Sequence, residues 1–314
     1  MDYTGIIKKA AEITARHCAL WLYGFLLALF GGGAGANFGQ GFRAVGNGGP
    51  PAGQPPFSPA DAASSMWILL LVIAVVVFIV AWIITGAIAR YVSTAALVGM
   101  VRDVEETGET AVRDGWRWGW SVRAWRLFLI GLIVGIPLAV IAILLVGMAA
   151  SPLVLLFTKR PALQVGSVIL AIVLFLMVLL LLVIVGTLVG MVLEIVNREC
   201  VLGNHGVRDS LRRGIAQVRQ RPRPVVTIGL ILVGLGWLWG LFMIPTVVLI
   251  VGGAALPALI TYAAAGGLGA ALVGVPLILL ALVVLSALNG LFITFRSTVW
   301  TLTYLDLGEL QENR

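Results

Sequence analysis

The residues best suited to chemistry form a run of interleaved arginine and tryptophan, VRDGWRWGWSVRAWR, at residues 112–126. Arginine can clamp phosphate while tryptophan stacks on bases, so this composition is compatible with nucleic-acid binding. The same residue types also mark the boundary of a lipid bilayer, where tryptophan rings lie at the headgroup level. The choice between the two depends on the elements that hold the run.

Groups that could carry catalysis are sparse in the rest of the chain. The two histidines, His17 and His205, are far apart, and neither HExxH nor GxSxG occurs, which argues against a zinc peptidase or a serine hydrolase. Cys18 and Cys200 lack the spacing of a metal site, and we predict no disulfide because both are expected near a reducing cytoplasmic face. The sequence therefore predicts no enzyme, no cofactor and no bound metal.

One acidic and one basic residue lie four positions apart at the end of the fourth predicted span. Glu194 and Arg198 form an ExxxR pattern, which is similar to that of membrane-embedded prenyl endopeptidases. Those enzymes also need histidines on neighbouring helices, and this sequence has none at suitable positions. The favoured interpretation is an ion pair between residues one helical turn apart, at the cytoplasmic end of a membrane span.

Composition identifies the class of protein that must position these residues. The chain has 314 residues, of which 60% are hydrophobic and 11% are charged, with mean hydropathy +1.06. A soluble domain carries about 25% charged residues. Three long stretches, 64–89, 161–193 and 224–295, contain no charged residue, and about 20 apolar residues suffice to cross a bilayer. We therefore predict an all-α polytopic membrane protein, with residues 1–314 forming a single membrane domain.

Hydropathy predicts six transmembrane helices. They lie at about 17–36, 65–89, 127–150, 164–193, 225–251 and 268–295. A cleaved signal peptide is the alternative for the first, but its basic region is long and contains Glu12. Between the first two spans we predict an external loop at 31–64, rich in Gly and Pro. Its glycines do not have the spacing of a dinucleotide-binding loop.

The basic residues predict how the spans are oriented. All of the 21 Lys and Arg except Arg43, Lys159 and Arg160 lie in the N-terminal tail, the 90–126 and 198–223 loops, the end of the fourth span and the tail from Arg296. By the positive-inside rule, this side is cytoplasmic and holds both termini. We expect a multi-pass protein of the bacterial plasma membrane, the inner membrane.

An internal repeat relates the arginine–tryptophan run to a second segment. GETAVRDGWRWG at 108–119 aligns without a gap to GNHGVRDSLRRG at 203–214, with six of the twelve residues identical. IIKKAAEITAR near the N-terminus is a weaker third copy. We predict three parallel units at about 1–101, 102–197 and 198–314, each a short cytoplasmic amphipathic helix followed by a transmembrane hairpin.

The second copy indicates how the first is used. On a helical wheel, Val207, Leu211, Gly214, Ile215 and Val218 form an apolar stripe, with the arginines off it. By alignment, Trp116 and Trp120 occupy the positions of Leu211 and Ile215, and should contact lipid or the helix bundle. Trp118 aligns with Arg213 and lies off the stripe. The residues predicted to contact lipid headgroups or the bilayer interface are Arg113, Arg117, Arg208, Arg212, Arg213, Trp116, Trp118 and Trp120.

The layout also resembles a bacterial group. The segments ALWLYGF, NRECVLGNHGVRDSLRRG and FRSTVWTLTYLDL are placed as in the six-helix membrane domain attached to some bacterial glycerophosphodiester phosphodiesterases, and in free-standing relatives. The resemblance implies architecture only, because the phosphodiesterase residues of such proteins lie in a separate soluble barrel that this chain has no room for.

These observations favour a non-enzymatic membrane protein that acts as an accessory, scaffold or lipid-interacting component. The expected partners are membrane lipids, chiefly anionic, together with a membrane-protein partner or a second copy of the chain, and no nucleic acid. The alternative is a channel or transporter for a small solute or lipid, which a polar, water-accessible cavity among the spans would favour.

Overall fold

The computed structural model describes residues 2–30, 59–157 and 161–312, and these residues form helices with no strand. The helices are α1 Tyr3–Arg16, α2 Cys18–Phe30, α3 Pro59–Thr107, α4 Val112–Gly119, α5 Val122–Ala150, α6 Pro161–Leu202, α7 Val207–Gln220 and α8 Pro222–Glu312. A 3-10 turn, Ser151–Phe157, follows α5. The predicted all-α class is confirmed.

Five described helical segments are long and apolar enough to cross a bilayer. They are Leu69–Thr107, Val122–Val154, Gln164–Leu202, Pro222–Ala263 and Gly269–Gly308. Helices α1 and α2 pass the same test only as a pair, bent by 96°. The described chain therefore has five spans, or six with the bent pair, and a polytopic membrane protein is confirmed. The predicted first span, 17–36, continues into residues outside the described ranges.

Several helices continue well beyond the apolar runs that predicted them. Helix α3 has 49 residues, which gives about 74 Å at 1.5 Å per residue, more than twice a bilayer core of about 30 Å. Residues 90–107 and 198–202, expected in cytoplasmic loops, are therefore helical extensions. Helix α3 also begins at Pro59, inside the predicted external loop. Hydropathy locates the lipid-facing part of a helix, whereas backbone hydrogen bonds and a proline suited to the first turn decide where it begins and ends.

A single residue divides α8 into its two apolar arms, Pro222–Ala263 and Gly269–Gly308. Gly266 has φ 70° and ψ −162°, a conformation that only a residue without Cβ adopts readily. The break separates the predicted fifth and sixth spans.

The chain forms two compact units. The first unit contains the described residues of 4–120 and 234–299, and the second contains those of 121–233 and 300–312, with residues 2 and 3. In the first unit, residues 95–101 of α3 are all buried; in the second, burial is greatest at 300–303 of α8 and at five of the seven residues 195–201 of α6. Only 6% of the most apolar window of α3 is buried, so its apolar side chains are left for contact with lipid.

In the first unit, α2 and the second arm of α8 approach so closely that a side chain on Gly24 or Gly290 would clash with the facing helix. A Cβ on Gly290 would lie 2.7 Å from the backbone nitrogen of Phe25, and one on Gly24 would lie 2.5 Å from the carbonyl oxygen of Gly290. The Thr294 hydroxyl lies in the same contact and donates to the Gly290 carbonyl at 2.9 Å. Small residues allow such close approach of membrane helices.

Gly290→Ala should therefore destabilise the protein, because overpacking costs about 1–3 kcal/mol. Gly240→Ala is the matched control, since nothing lies within 4 Å of the position its Cβ would take. We expect a lower midpoint of thermal unfolding in detergent for Gly290→Ala and an unchanged or slightly higher one for Gly240→Ala. Equal midpoints for the two variants would contradict the close contact.

Candidate functional site

Helix α4 follows α3 after a short turn at residues 108–111, and residues in and next to this turn stabilise it. Gly108 has φ 79° and donates its N–H to the Val104 carbonyl at 2.9 Å. The Asp114 carboxylate accepts a hydrogen bond from the Ala111 N–H at 3.1 Å, which stabilises the first turn of the helix. The RDG part of the repeated sequence thus helps to begin α4.

Two glycines attach α4 to the first unit. Gly115 and Gly119 are buried. A Cβ on Gly119 would lie 2.7 Å from Val92 Cγ1, and one on Gly115 would overlap the ring of Tyr23. The Tyr23 hydroxyl donates to the Val112 carbonyl at 2.9 Å, which adds a hydrogen bond at the start of the helix. One face of α4 is therefore held close to α2 and α3.

The opposite face of α4 is exposed, and we call Arg113, Trp116, Arg117 and Trp120 the α4 outer face. Trp116 and Trp120 are 60% and 61% exposed, and their ring centroids are 5.4 Å apart. Both rings are therefore mostly exposed within the described part of the chain, and whether they contact lipid or the helix bundle stays a prediction.

Trp118 is placed differently. It is half-buried, its ring occupies the space beside Gly99, and its indole N–H donates to the Asp103 carboxylate at 2.8 Å. The sequence alone did not predict this contact with α3, which gives Trp118 a structural role.

Helix α7 repeats this arrangement in the second unit. Ser210 and Gly214 are buried, and a Cβ on Gly214 would lie 2.7 Å from Val196 Cγ2 of α6. Arg208, Arg212 and Ile215 are exposed, and we call them the α7 outer face. Ile215, on the predicted apolar stripe, is not covered by the described protein, and contact of the stripe with lipid stays a prediction. The buried residues of α7 are Ser210 and Gly214, each one position before a residue of the apolar stripe. Both are small, because the backbone of α7 lies close to α6.

The α3–α4 and α6–α7 connections begin and end at aligned positions, although the positive φ lies at Gly108 in the first and at Asn204 in the second. The intervening segments are 108–111 and 203–206, and Gly203 donates to the Glu199 carbonyl at 3.1 Å as Gly108 donates to that of Val104. The buried pairs Gly115/Gly119 and Ser210/Gly214 lie at aligned positions. The internal repeat itself stays a prediction.

Arg213 differs from the other predicted arginines because it lines a cleft in the second unit. Its Nη1 lies 2.8 Å from His205 Nε2. The cleft has a volume of about 410 Å³ and is also lined by Glu199, Gln217, Gln220 and Tyr304. Tyr304 and Glu199 are 105 residues apart in sequence, so no local spacing could have predicted their contact.

Beside the cleft, the predicted pair of Glu194 and Arg198 is confirmed. Arg198 Nη1 lies 2.6 Å from the Glu194 carboxylate. The sequence did not predict that the Arg198 side chain is only 1% exposed, nor that its Nε donates to the Thr301 hydroxyl at 3.3 Å. The pair joins α6 to the end of α8. Within the described residues, no group of three His, Cys, Asp or Glu is placed to hold a metal ion.

The hydrogen bond of Trp118 can be tested against its exposed neighbour. Trp118→Phe removes the indole N–H and leaves Asp103 without that donor, which should cost about 1.5–3 kcal/mol because the acceptor is charged. Trp116→Phe is the control, since its ring is exposed. We expect a lower unfolding midpoint in detergent for Trp118→Phe alone, and equal midpoints would show that the bond contributes nothing.

A model for a family of unknown function, DUF7544, matches residues 12–310. The chain therefore belongs to this family. No curated protein and no solved structure matches the chain.

Proposed function

We propose that this member of the DUF7544 family is a non-enzymatic accessory or scaffold protein of the bacterial plasma membrane that binds anionic lipid through its short helices. The observation that carries the proposal is the α4 outer face, where the exposed indole rings of Trp116 and Trp120 share one side of the helix with the exposed Arg113 and Arg117. The buried glycines of α4 hold these groups outward. Such a surface is suited to the bilayer interface, since tryptophan prefers the headgroup level.

Electrostatics supports anionic lipid as the partner. Each Lys or Arg near an anionic leaflet contributes about 1 kcal/mol. Arg113 and Arg117 on α4, with Arg208 and Arg212 on α7, are exposed, and among the described residues none of the four forms an ion pair within 4 Å. Four such contacts would stabilise the bound state by about 4 kcal/mol if they act independently.

The order of helices supports a parallel repeat of the lipid-binding unit. Each of α1, α4 and α7 is short, and a longer or more apolar helix follows after no more than two residues. Helix α1 contributes Lys8 and Lys9, which are exposed. In this proposal the three short helices lie on the cytoplasmic side as amphipathic elements. The resemblance to the membrane domain of glycerophosphodiester phosphodiesterases is compatible with such a non-catalytic role.

The transport alternative requires a polar cavity among the spans. A groove of about 520 Å³ in the first unit, beside Trp239 and Phe292, is lined almost entirely by apolar side chains. The polar cleft beside Glu199 lies at the ends of its helices. Neither favours a channel or transporter over the accessory role.

The proposed orientation can be tested by cysteine labelling. In a Cys18→Ser, Cys200→Ala background, Arg113→Cys should react with a membrane-impermeant maleimide only after the cells are permeabilised. Lys159→Cys, on the predicted external side, is the control and should react in intact cells. Labelling of Arg113→Cys in intact cells would show that α4 lies on the external side and would contradict the proposed topology.

Lipid binding can be tested with purified protein in nanodiscs or by native mass spectrometry. We expect retention of phosphatidylglycerol over phosphatidylcholine, and at least a tenfold loss of that preference in Arg113→Gln/Arg117→Gln if each contact contributes about 1 kcal/mol. Arg113→Lys/Arg117→Lys is the matched control, since it keeps the charge. If the unmodified protein shows no preference for anionic lipid, the proposal is wrong. If a protein partner or a second copy of the chain co-purifies and shields Trp116 from solvent, the α4 outer face binds that partner and not lipid.

A further inference from the structure

The second unit contains a polar cleft that is separate from the exposed arginines of the α7 outer face. It lies among α6, α7 and the end of α8, which contribute Glu199, Arg213, Gln217, Gln220, Tyr304 and Gly308. Its volume of about 410 Å³ falls within the range of about 300–1,000 Å³ typical of small-molecule sites. The two sides of the cleft carry opposite charges.

The acidic side is formed by Glu199, whose side chain is 12% exposed. One carboxylate oxygen accepts a hydrogen bond from the Tyr304 hydroxyl at 2.5 Å, and the other lies 3.6 Å from His205 Nε2. A carboxylate has about four acceptor positions, so these contacts leave acceptor capacity toward the cleft. A primary ammonium group, with three N–H donors and a positive charge, is the complementary ligand group.

The basic side is formed by α7. Arg213, Gln217 and Gln220 are spaced i, i+4 and i+7, which places them along one face of the helix. Arg213 contacts His205 through Nη1 only, and its guanidinium has further N–H donors suited to a phosphate. The two glutamine amides add neutral donors beside it. This side of the cleft is therefore suited to a phosphate oxygen.

We propose that this cleft binds a phosphoethanolamine group, with its ammonium toward Glu199 and Tyr304 and its phosphate toward Arg213. The group can come from a phospholipid headgroup or from a free phosphoethanolamine ester. Glu199 lies six residues beyond the uncharged run that ends at Leu193, about 9 Å along the helix at 1.5 Å per residue, a distance comparable with the thickness of the headgroup region. The proposal is independent of lipid binding by the α4 and α7 outer faces.

Binding is measured on the full chain, by native mass spectrometry in detergent and by calorimetry. Phosphatidylethanolamine should be retained over phosphatidylcholine, because a trimethylammonium group has no N–H to donate to Glu199. Soluble phosphoethanolamine distinguishes the sources: binding of the soluble compound indicates a free ester, and binding of the diacyl lipid alone indicates a headgroup. Equal retention of phosphatidylethanolamine and phosphatidylcholine, or binding of neither probe, overturns the proposal.

Three variants assign the effect to the cleft. Glu199→Gln, which keeps the Tyr304 hydrogen bond, and Arg213→Gln should each weaken phosphatidylethanolamine binding by about tenfold or more, as expected for loss of a charged hydrogen bond. Arg212→Gln is the matched control, because Arg212 is adjacent in α7 but exposed outside the cleft. If Arg212→Gln weakens binding as much as Arg213→Gln does, the headgroup binds the outer face of α7 and the proposed cleft site is wrong. Unfolding midpoints close to that of the unmodified protein exclude misfolding.

Discussion

Close contact between helix backbones at small residues is the constraint on which the other features depend. Lipid tails are as apolar as leucine, so helices in a bilayer gain little from burying apolar side chains against one another. Gly24 meets Gly290 in the first unit, and Gly119 and Gly214 attach α4 and α7 to their neighbouring helices. A glycine contact allows little choice of rotation, because only one face of the helix can approach so closely. The outward position of the arginines and indoles follows from it.

The same constraint explains where burial occurs. The most apolar windows of α3 and α5 are only 6% buried, so their side chains are left for contact with lipid. The extensions of α3 and α6 instead cover their apolar residues with protein. Burial is complete at 95–101 of α3, and in α6 it includes Ile195, Val196, Arg198, Cys200 and Val201. The short helices attach at these extensions, so specific side-chain contacts concentrate there.

The sequence predicted much of this architecture and missed part of the site, for identifiable reasons. Hydropathy located the spans because a helix segment that contacts lipid needs only a long run of apolar residues. It placed the helix ends too early in α3 and α6, where the extensions are apolar but interrupted by charge. The wheel of α7 grouped residues by hydrophobicity, so it did not predict that Ser210 is buried beside Gly214, where the contact with Val196 requires a small residue. Tyr304 and Glu199 could not be paired from sequence, since their contact depends on how the end of α8 returns to α6.

The aligned positions Trp118 and Arg213 show how one arrangement can yield two different local outcomes. Each lies on the side of its short helix that faces the preceding long helix or the turn after it. In α4 the indole fills that space against Gly99 and bonds to Asp103, so the position is closed. In α7 the guanidinium extends to His205 and leaves a cleft beside Glu199. A flat ring that packs gives a structural contact, whereas a longer charged side chain leaves both space and hydrogen-bond donors. The side chain at aligned positions 118 and 213 thus fills the space in the first unit and borders the cleft in the second.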